Sequence, residues 1–275
     1  MSVAAQVQQV LDCEHGGINE SFAELHARTG DPRWLAWAWC PLPVVEFWGM
    51  GHHDAILIAL TLAALYLLER ESFARAFALL GFAAATKYWP ILLAPYFARR
   101  RWWLAPIPVL VFALCWWPWH TDVGENVRYM SGYVGGWRNN DIFFGALLAV
   151  AGSFDNAKLI ALGIIGAASL STFFARTGSQ ALAIVAGTIL AVSANVHPWY
   201  VCWLLPLAVF RAPFVLGTWA ALAPALYVVL IRWRAEHVWD GVSPVRWIVY
   251  STVGAAIVLQ LVKAYKERGG GNPHS

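Results

Sequence analysis

Four ionisable side chains fall within nine residues of an otherwise apolar stretch, PLPVVEFWGMGHHD: Glu46, His52, His53 and Asp54. At the centre of a membrane helix each charge costs roughly 2.5–3.5 kcal/mol on insertion scales, so such groups persist where they pair, meet water or work. Three chemistries suit the cluster: contact with a phosphate or sugar, a metal site, and capping of the apolar helix that follows. Adjacent His52 and His53 do not easily share one ion at a helix start, which weighs against metal. Asp54, directly before Ala55, has the residue type and place of a helix N-cap.

Other polar residues interrupt apolar runs further on. Lys87 stands in Thr86-Lys87-Tyr88-Trp89-Pro90, either at a working site or snorkelling to an interface. Arg138 and Asn140 lie in a long polar connection, and His197-Pro198 is either part of a site or a turn between spans. Asp122, Glu125 and Asp141 read as solvated loop residues.

The elements that must position these groups are helices in a membrane. Hydrophobic residues make up 59% of the 275 and charged residues 13%, with a mean hydropathy of +0.54. A soluble domain carries about 25% charged residues. The 17 Trp suit membrane–water interfaces, and a net charge of +3 without basic-aromatic clusters argues against nucleic acid. Cys13, Cys40, Cys115 and Cys202 have no CxxC spacing, so neither a disulfide nor a zinc site is expected. No cleavable signal peptide is read in 1–25.

The expected fold is all-α: a polytopic transmembrane helical protein of about eight to nine segments, some half-spanning, since a full span takes roughly 20 apolar residues. A polar cytoplasmic arm covers 1–32. The membrane domain covers 33–264, with outer loops at 118–156 and 232–246. A basic, Gly-rich cytoplasmic tail covers 265–275. Expected helices are Ala55–Leu68, a pair within Phe73–Phe97 broken at Lys87–Pro90, Trp102–Trp119, a half-helix Ile142–Ala151, Lys158–Ala175, Gln180–Ala194, Trp199–Phe210, Pro213–Ile231 and Trp247–Val262. With the N-terminus cytoplasmic, 12 of the 19 Lys and Arg gather inside. The same threading puts Glu46, the His52–Asp54 cluster, 120–141, His197-Pro198-Trp199 and 232–246 on the outer face.

The segments PLPVVEFWGMGHHDA, GFAAATKYWPILLAPYF, YVGGWRNNDIFF and HPWYVCWLLPL, in that order between about Asp31 and Phe210, resemble membrane glycosyltransferases of the GT-C superfamily. The nearest likeness is to bacterial polyprenol-phosphate-mannose-dependent and related hexosyltransferases. The resemblance implies a multi-pass cytoplasmic (inner) membrane enzyme with its active face outward. It would move a hexose, mannose first, from a polyprenyl-phosphate carrier to a hydroxyl of a lipid or glycan acceptor. Its motifs fall on Glu46, His52, Asp54, Lys87, Pro90, Trp137, Asn140, His197 and Trp199. On this reading Asp54 or Glu46 takes the acceptor's proton. His52, His53, Lys87, Arg138 and His197 meet the donor phosphate, with Arg232, Arg234 and Arg246 as further contacts. Trp137, Asn140, Trp199 and Tyr200 face sugar or prenyl chain. No cofactor is required, and a divalent cation is left open. The superfamily's usual long first external loop with its acidic residue has no counterpart in the pattern, so the expectation is either a truncated start or a shortened relative that lacks the usual base.

Two rival readings stand beside it. Helix breaks at Pro41/Pro43 and Thr86–Pro90 are features of transporters or flippases for lipid-linked or anionic substrates. A non-catalytic fragment or subunit of a larger transferase is the other.

Overall fold

The structure, a computed structural model, describes residues 27, 30, 42, 46, 52–125, 128, 138–208, 213–229, 241 and 243–269. Most of the N-terminal arm, the break at Pro41/Pro43, Trp137, Arg232, Arg234, most of 232–246 and the last residues of the tail lie outside them. The described chain is all-α. Its one β-type contact is an isolated bridge between Asn139 and Asn195.

Helix α1 (Asp54–Glu69) is built from Leu, Ala and Ile without Gly or Pro, and a tight turn through Glu71 (φ 59°) returns it as α2 (Phe73–Thr86). The two pack along their length through Leu57, Leu65, Leu68, Phe77 and Leu80, all buried. Helix α2 stops at Thr86 because Pro90 has no N–H to continue it and its ring would clash with the carbonyl four residues back. Lys87 is extended instead (φ −159°, ψ 133°), and a 3₁₀ turn, Trp89–Leu93, leads into α3 (Ala94–Arg101).

The stretch expected to be one span from Trp102 is broken. A 3₁₀ turn, Trp102–Leu104, precedes α4 (Pro106–Trp116), and the axis bends by 100° between Trp89–Leu104 and Pro106–Glu125. Proline fits the first turn of a new helix, where its missing N–H is not needed, better than the interior of an old one. Helix α4 lies so close to α2 that a Cβ on Gly81 would come 2.8 Å from the Pro108 carbonyl oxygen. Gly81→Ala is therefore expected to force the helices apart and cost about 1–3 kcal/mol, read as a lower Tm in detergent. An unchanged Tm would mean that α2 and α4 are not in backbone contact.

Helix α5 (Phe144–Ala151) is the expected half-helix, closed by Gly152 in the left-handed region (φ 71°). The next two helices carry side-chain caps: Ser153 accepts from Asn156 N–H before α6 (Phe154–Ser171), and Thr177 accepts from Gln180 N–H before α7 (Gly178–Val192). The segment expected as a helix over Trp199–Phe210 is a 3₁₀ turn, Pro198–Trp203, followed by one α-turn, α8 (Leu205–Ala208). Helix α9 (Pro213–Leu222) passes into a 3₁₀ turn, Ala223–Tyr227, and packs on α10 (Val245–Gly269).

Phe154–Phe174 and Val245–Lys266 are each long and apolar enough to cross a membrane, and the bent pair is a third candidate if it is one span. Much of their surface points outward and is apolar, including Leu159, Leu162 and Phe174 on one helix and Ile248, Leu259 and Leu261 on the other. Hydrocarbon covers such faces at no cost, whereas water would charge about 25 cal/mol per Å².

Candidate functional site

The site sits where helices end. Asp54 is the first residue of α1, Lys87 follows the last residue of α2, His197 is the N-cap of the 3₁₀ turn before α8, and Trp199, Tyr200 and Trp203 lie within that turn. Broken helices leave backbone and polar side chains at one place. There, seven of the residues expected from sequence meet in one cluster of contacts.

Asp54 is 1% exposed, and its Oδ1 accepts from Lys87 Nζ at 2.8 Å and from Trp203 Nε1 at 2.6 Å. The ammonium also lies 4.3 Å from the ring of Tyr200 and 5.0 Å from that of Trp203, so three partners hold it. Two expectations are corrected here. Asp54 does not cap α1: His53 occupies the N-cap position, no side chain caps the helix, and the Asp54 carboxylate turns inward to Lys87 and Trp203. Lys87 does not snorkel, because a buried carboxylate offers it more than an interface does.

Glu46 is fully buried and its Oε2 accepts from Tyr227 O–H at 2.7 Å, with His52 Nε2 at 3.6 Å. His52 stacks on Trp199 (ring centroids 4.0 Å), and Trp199 stacks on His197 (4.3 Å, 7° between planes). Tyr200 meets Trp199 edge-on and stacks on Trp203 at 4.4 Å, which leads back to Asp54. His197 is more than a turn residue: it is 8% exposed, and Asn139 Nδ2 donates to its Nδ1 at 3.0 Å. With Nδ1 accepting, a neutral ring carries its proton on Nε2.

Burial, then the nearby positive charges of Lys87 and a protonated His52, hold the His197 imidazole down to about 4 against the opposing pull of Asp54. Burial also lowers His52, only partly countered by Asp54. Both rings are thus neutral stacking surfaces near pH 7 rather than cations.

One feature is shared by the two carboxylates. Glu46 Oε1 and Asp54 Oδ2 are buried with no hydrogen-bond partner among the described residues. Buried carboxylate oxygens are normally satisfied, so each of these lacks a donor that something else must bring.

The remaining expected residues take no part in these contacts. His53 is exposed at the start of α1, and Trp137 lies outside the described residues. Asn140 is buried with a left-handed backbone (φ 51°), its Nδ2 donates to the Leu226 carbonyl at 3.3 Å, and it lines a small cavity together with His197, Trp199 and Tyr227 of the cluster. Arg138 belongs to a neighbouring group. Its Nη2 donates to both oxygens of Asp141 at 3.1 and 3.0 Å, and Arg246 Nη1 donates to Asp141 Oδ1 at 2.7 Å. The solvated-loop reading of Asp141 is thereby corrected: it is 1% exposed, because two guanidiniums and the Gly145 N–H, 2.7 Å from Oδ2, replace water around it. Asp122 and Glu125 are exposed as expected.

Sequence reading missed Trp203, Tyr227 and Asn139. Trp203 had a usable signal, four residues after Trp199 in a turn. Tyr227 had none, as one aromatic among apolar residues.

Helices long and apolar enough to cross a membrane point to a membrane protein, and the site joins carboxylates to flat aromatic faces. Comparison with known families narrows the class. Residues 22–103 match the family described as alpha-(1->6)-mannopyranosyltransferase, N-terminal domain, a segment that contains Glu46, His52, Asp54 and Lys87. This supports a mannosyltransferase-like membrane family and, with it, glycosyltransferase activity in general. Residues 3–40 match the beta-L-arabinofuranosidase GH127 catalytic domain, and none of the site residues falls there. No curated protein and no solved structure matches the chain.

Proposed function

We propose that the chain is a membrane hexosyltransferase of GT-C type. It takes a hexose, mannose first, from a polyprenyl-phosphate carrier on the outer face of the cytoplasmic membrane and gives it to a hydroxyl of a glycan or lipid. The observation that carries the reading is the pair of buried carboxylates, each with one unpartnered oxygen, set among Trp199, Tyr200 and Trp203. Sugars present hydroxyl donors at their edges and C–H faces that stack on aromatic rings, so one ligand supplies both wants. The match of residues 22–103 to a mannopyranosyltransferase domain supports the sugar.

In the reaction the acceptor oxygen forms a bond to the anomeric carbon as the bond from that carbon to the phosphate oxygen breaks. The acceptor's proton passes to Asp54 Oδ2, and the electron pair leaves on the lipid phosphate. Lys87 holds Asp54 in place through Oδ1, leaving Oδ2 to do the proton transfer. Glu46 Oε1 accepts from a hydroxyl of the bound sugar, and Trp199 with Tyr200 supports the ring.

The test is transfer from radiolabelled polyprenyl-phosphate mannose to membrane lipid acceptors by the purified chain in detergent. Labelled product supports the reading. Donor binding without product assigns the chain to a non-catalytic subunit, and no donor binding sinks the transferase reading. The transporter alternative keeps one observation, an ion pair at a helix break, and uptake of donor lipid into vesicles without product would favour it.

A further inference from the structure

Positive charge gathers at the far end of the helices that carry the carboxylate cluster. Asp54 opens the 16-residue α1 and Glu69 closes it, so the two stand about 22 Å apart along the axis. Contacts draw three other segments to the Glu69 end. From α3, Tyr96 O–H donates to Glu69 Oε1 at 2.6 Å, and Arg100 Nη2 lies 3.5 Å from Oε2. The Arg101 guanidinium lies 4.3 Å from the ring centroid of Phe73, the first residue of α2. Arg99 Nη1 donates to the carbonyls of Phe173 and Ala175, just past the end of α6. Arg70 and Arg75 flank the α1–α2 turn, and Arg176 follows Ala175.

We infer that this end of the protein is a docking surface for the headgroups of anionic phospholipid in one leaflet of the membrane. Six arginines (Arg70, Arg75, Arg99, Arg100, Arg101 and Arg176) meet only two carboxylates there, Glu69 and Glu71. Arg70, Arg75, Arg101 and Arg176 form no ion pair among the described residues.

Aromatic rings hold two of these cations in place of carboxylates. Arg101 lies over Phe73 and 5.4 Å from the centroid of Trp103. Arg70 lies 5.6 Å from the centroid of Tyr66, whose hydroxyl accepts from its Nε at 3.2 Å. A ring face orients a guanidinium without cancelling its charge. A guanidinium does not shed its proton either, so the surplus is relieved only by an outside anion.

The place of the surface says which anion. The apolar stretch Phe154–Phe174, long enough to cross a membrane, ends two residues before Arg176, so the arginines stand at the edge of the hydrocarbon. Bare rings stand among them: Trp102 is 72% and Phe174 81% exposed. Indole rings favour the headgroup level of a bilayer, where arginines reach the phosphates. A nucleic acid or an acidic protein would satisfy the charge and leave the rings in water. A zwitterionic lipid would cover the rings and leave the charge. Anionic phospholipid does both. None of these residues belongs to the carboxylate cluster, so the surface stands apart from the sugar-transfer reading.

The experiment titrates phosphatidylglycerol and phosphatidylcholine in parallel onto the full, delipidated chain in detergent and counts bound lipid by native mass spectrometry. Phosphatidylglycerol is expected to bind at least about fivefold more tightly, the worth of one basic residue at an anionic surface. The preference should collapse at about 1 M salt, where screening acts within about 3 Å. Combining Arg70→Gln, Arg75→Gln, Arg101→Gln and Arg176→Gln should abolish it. The same four positions changed to Lys should keep most of it, because net charge is what the surface offers. Lys158→Gln, at the opposite end of α6, should leave it unchanged. If the combined Gln variant does not fold, the salt titration and the single Arg75→Gln and Arg176→Gln variants decide, each single change lowering the preference. Equal binding of the two lipids by the wild type overturns the inference, as does a preference that survives high salt. A preference lost equally in Lys158→Gln overturns the assignment to this end. A preference for phosphatidylglycerol in a chain that transfers no sugar leaves the surface standing.

Discussion

Asp54→Asn is expected to lower sugar transfer by about 10²–10⁴-fold, the usual worth of a general base, while leaving donor binding measurable. The amide keeps an acceptor for Trp203 Nε1 and loses the ability to take a proton on the unpartnered Oδ2. The same change strips Lys87 of its counter-ion. Breaking a fully buried pair costs about 3–5 kcal/mol. Lys87 is 24% exposed and also lies over Tyr200 and Trp203, so a smaller loss is expected, about 1–3 kcal/mol. Stability and chemistry separate in the double variant. Asp54→Asn with Lys87→Met removes both charges together, so Tm should return toward wild type while transfer stays lost. Recovery of transfer along with Tm would show that Asp54 matters only as Lys87's partner.

The fold class was legible because composition and apolar run lengths decide it. The cluster was legible because charges inside apolar runs are conspicuous: Glu46, His52, Asp54, Lys87 and His197 all interrupt such runs, and all converge. What stayed hidden depends on partners far along the chain. Asp141 looks like a loop residue beside Asn140, and its burial is set by Arg246, 105 positions on. Tyr227 reaches Glu46 across 181 positions and Trp203 reaches Asp54 across 149.

Local rules also failed where a tertiary contact was stronger. Asp54 has the type and place of an N-cap, yet a cation and an indole N–H outbid the helix's own amides. Nothing in the polar connection through Arg138 signalled that Asn139 would bond to His197 or that Arg138 would pair with Asp141. The bridge at Asn139 fixes the backbone there, with Val196 N–H donating to the Asn139 carbonyl at 2.7 Å and Asn139 N–H to Ala194 at 2.9 Å. Those bonds place Asn139 beside His197 and, one residue away, Arg138 against Asp141.

Glu46→Gln is expected to act differently from Asp54→Asn, weakening donor binding rather than stopping chemistry. Glu46 is fully buried, which pushes its carboxyl up against the opposing hydrogen bond from Tyr227, and its free Oε1 is placed to accept from a sugar hydroxyl. Losing such a buried hydrogen bond costs about 1–3 kcal/mol, so KM for the donor should rise by roughly 5–150-fold with kcat much less changed. Tyr227→Phe isolates the supporting contact. It removes the donor to Oε2 at 2.7 Å and leaves the carboxylate in place. An orphaned buried acceptor costs about 1–3 kcal/mol, so Tm should drop while transfer survives in the folded fraction. Steady-state kinetics in detergent with both variants reads the split. If Glu46→Gln instead removes kcat while Asp54→Asn alters only KM, the two carboxylates have exchanged roles: the base would be Glu46, and Asp54 the sugar contact held by Lys87.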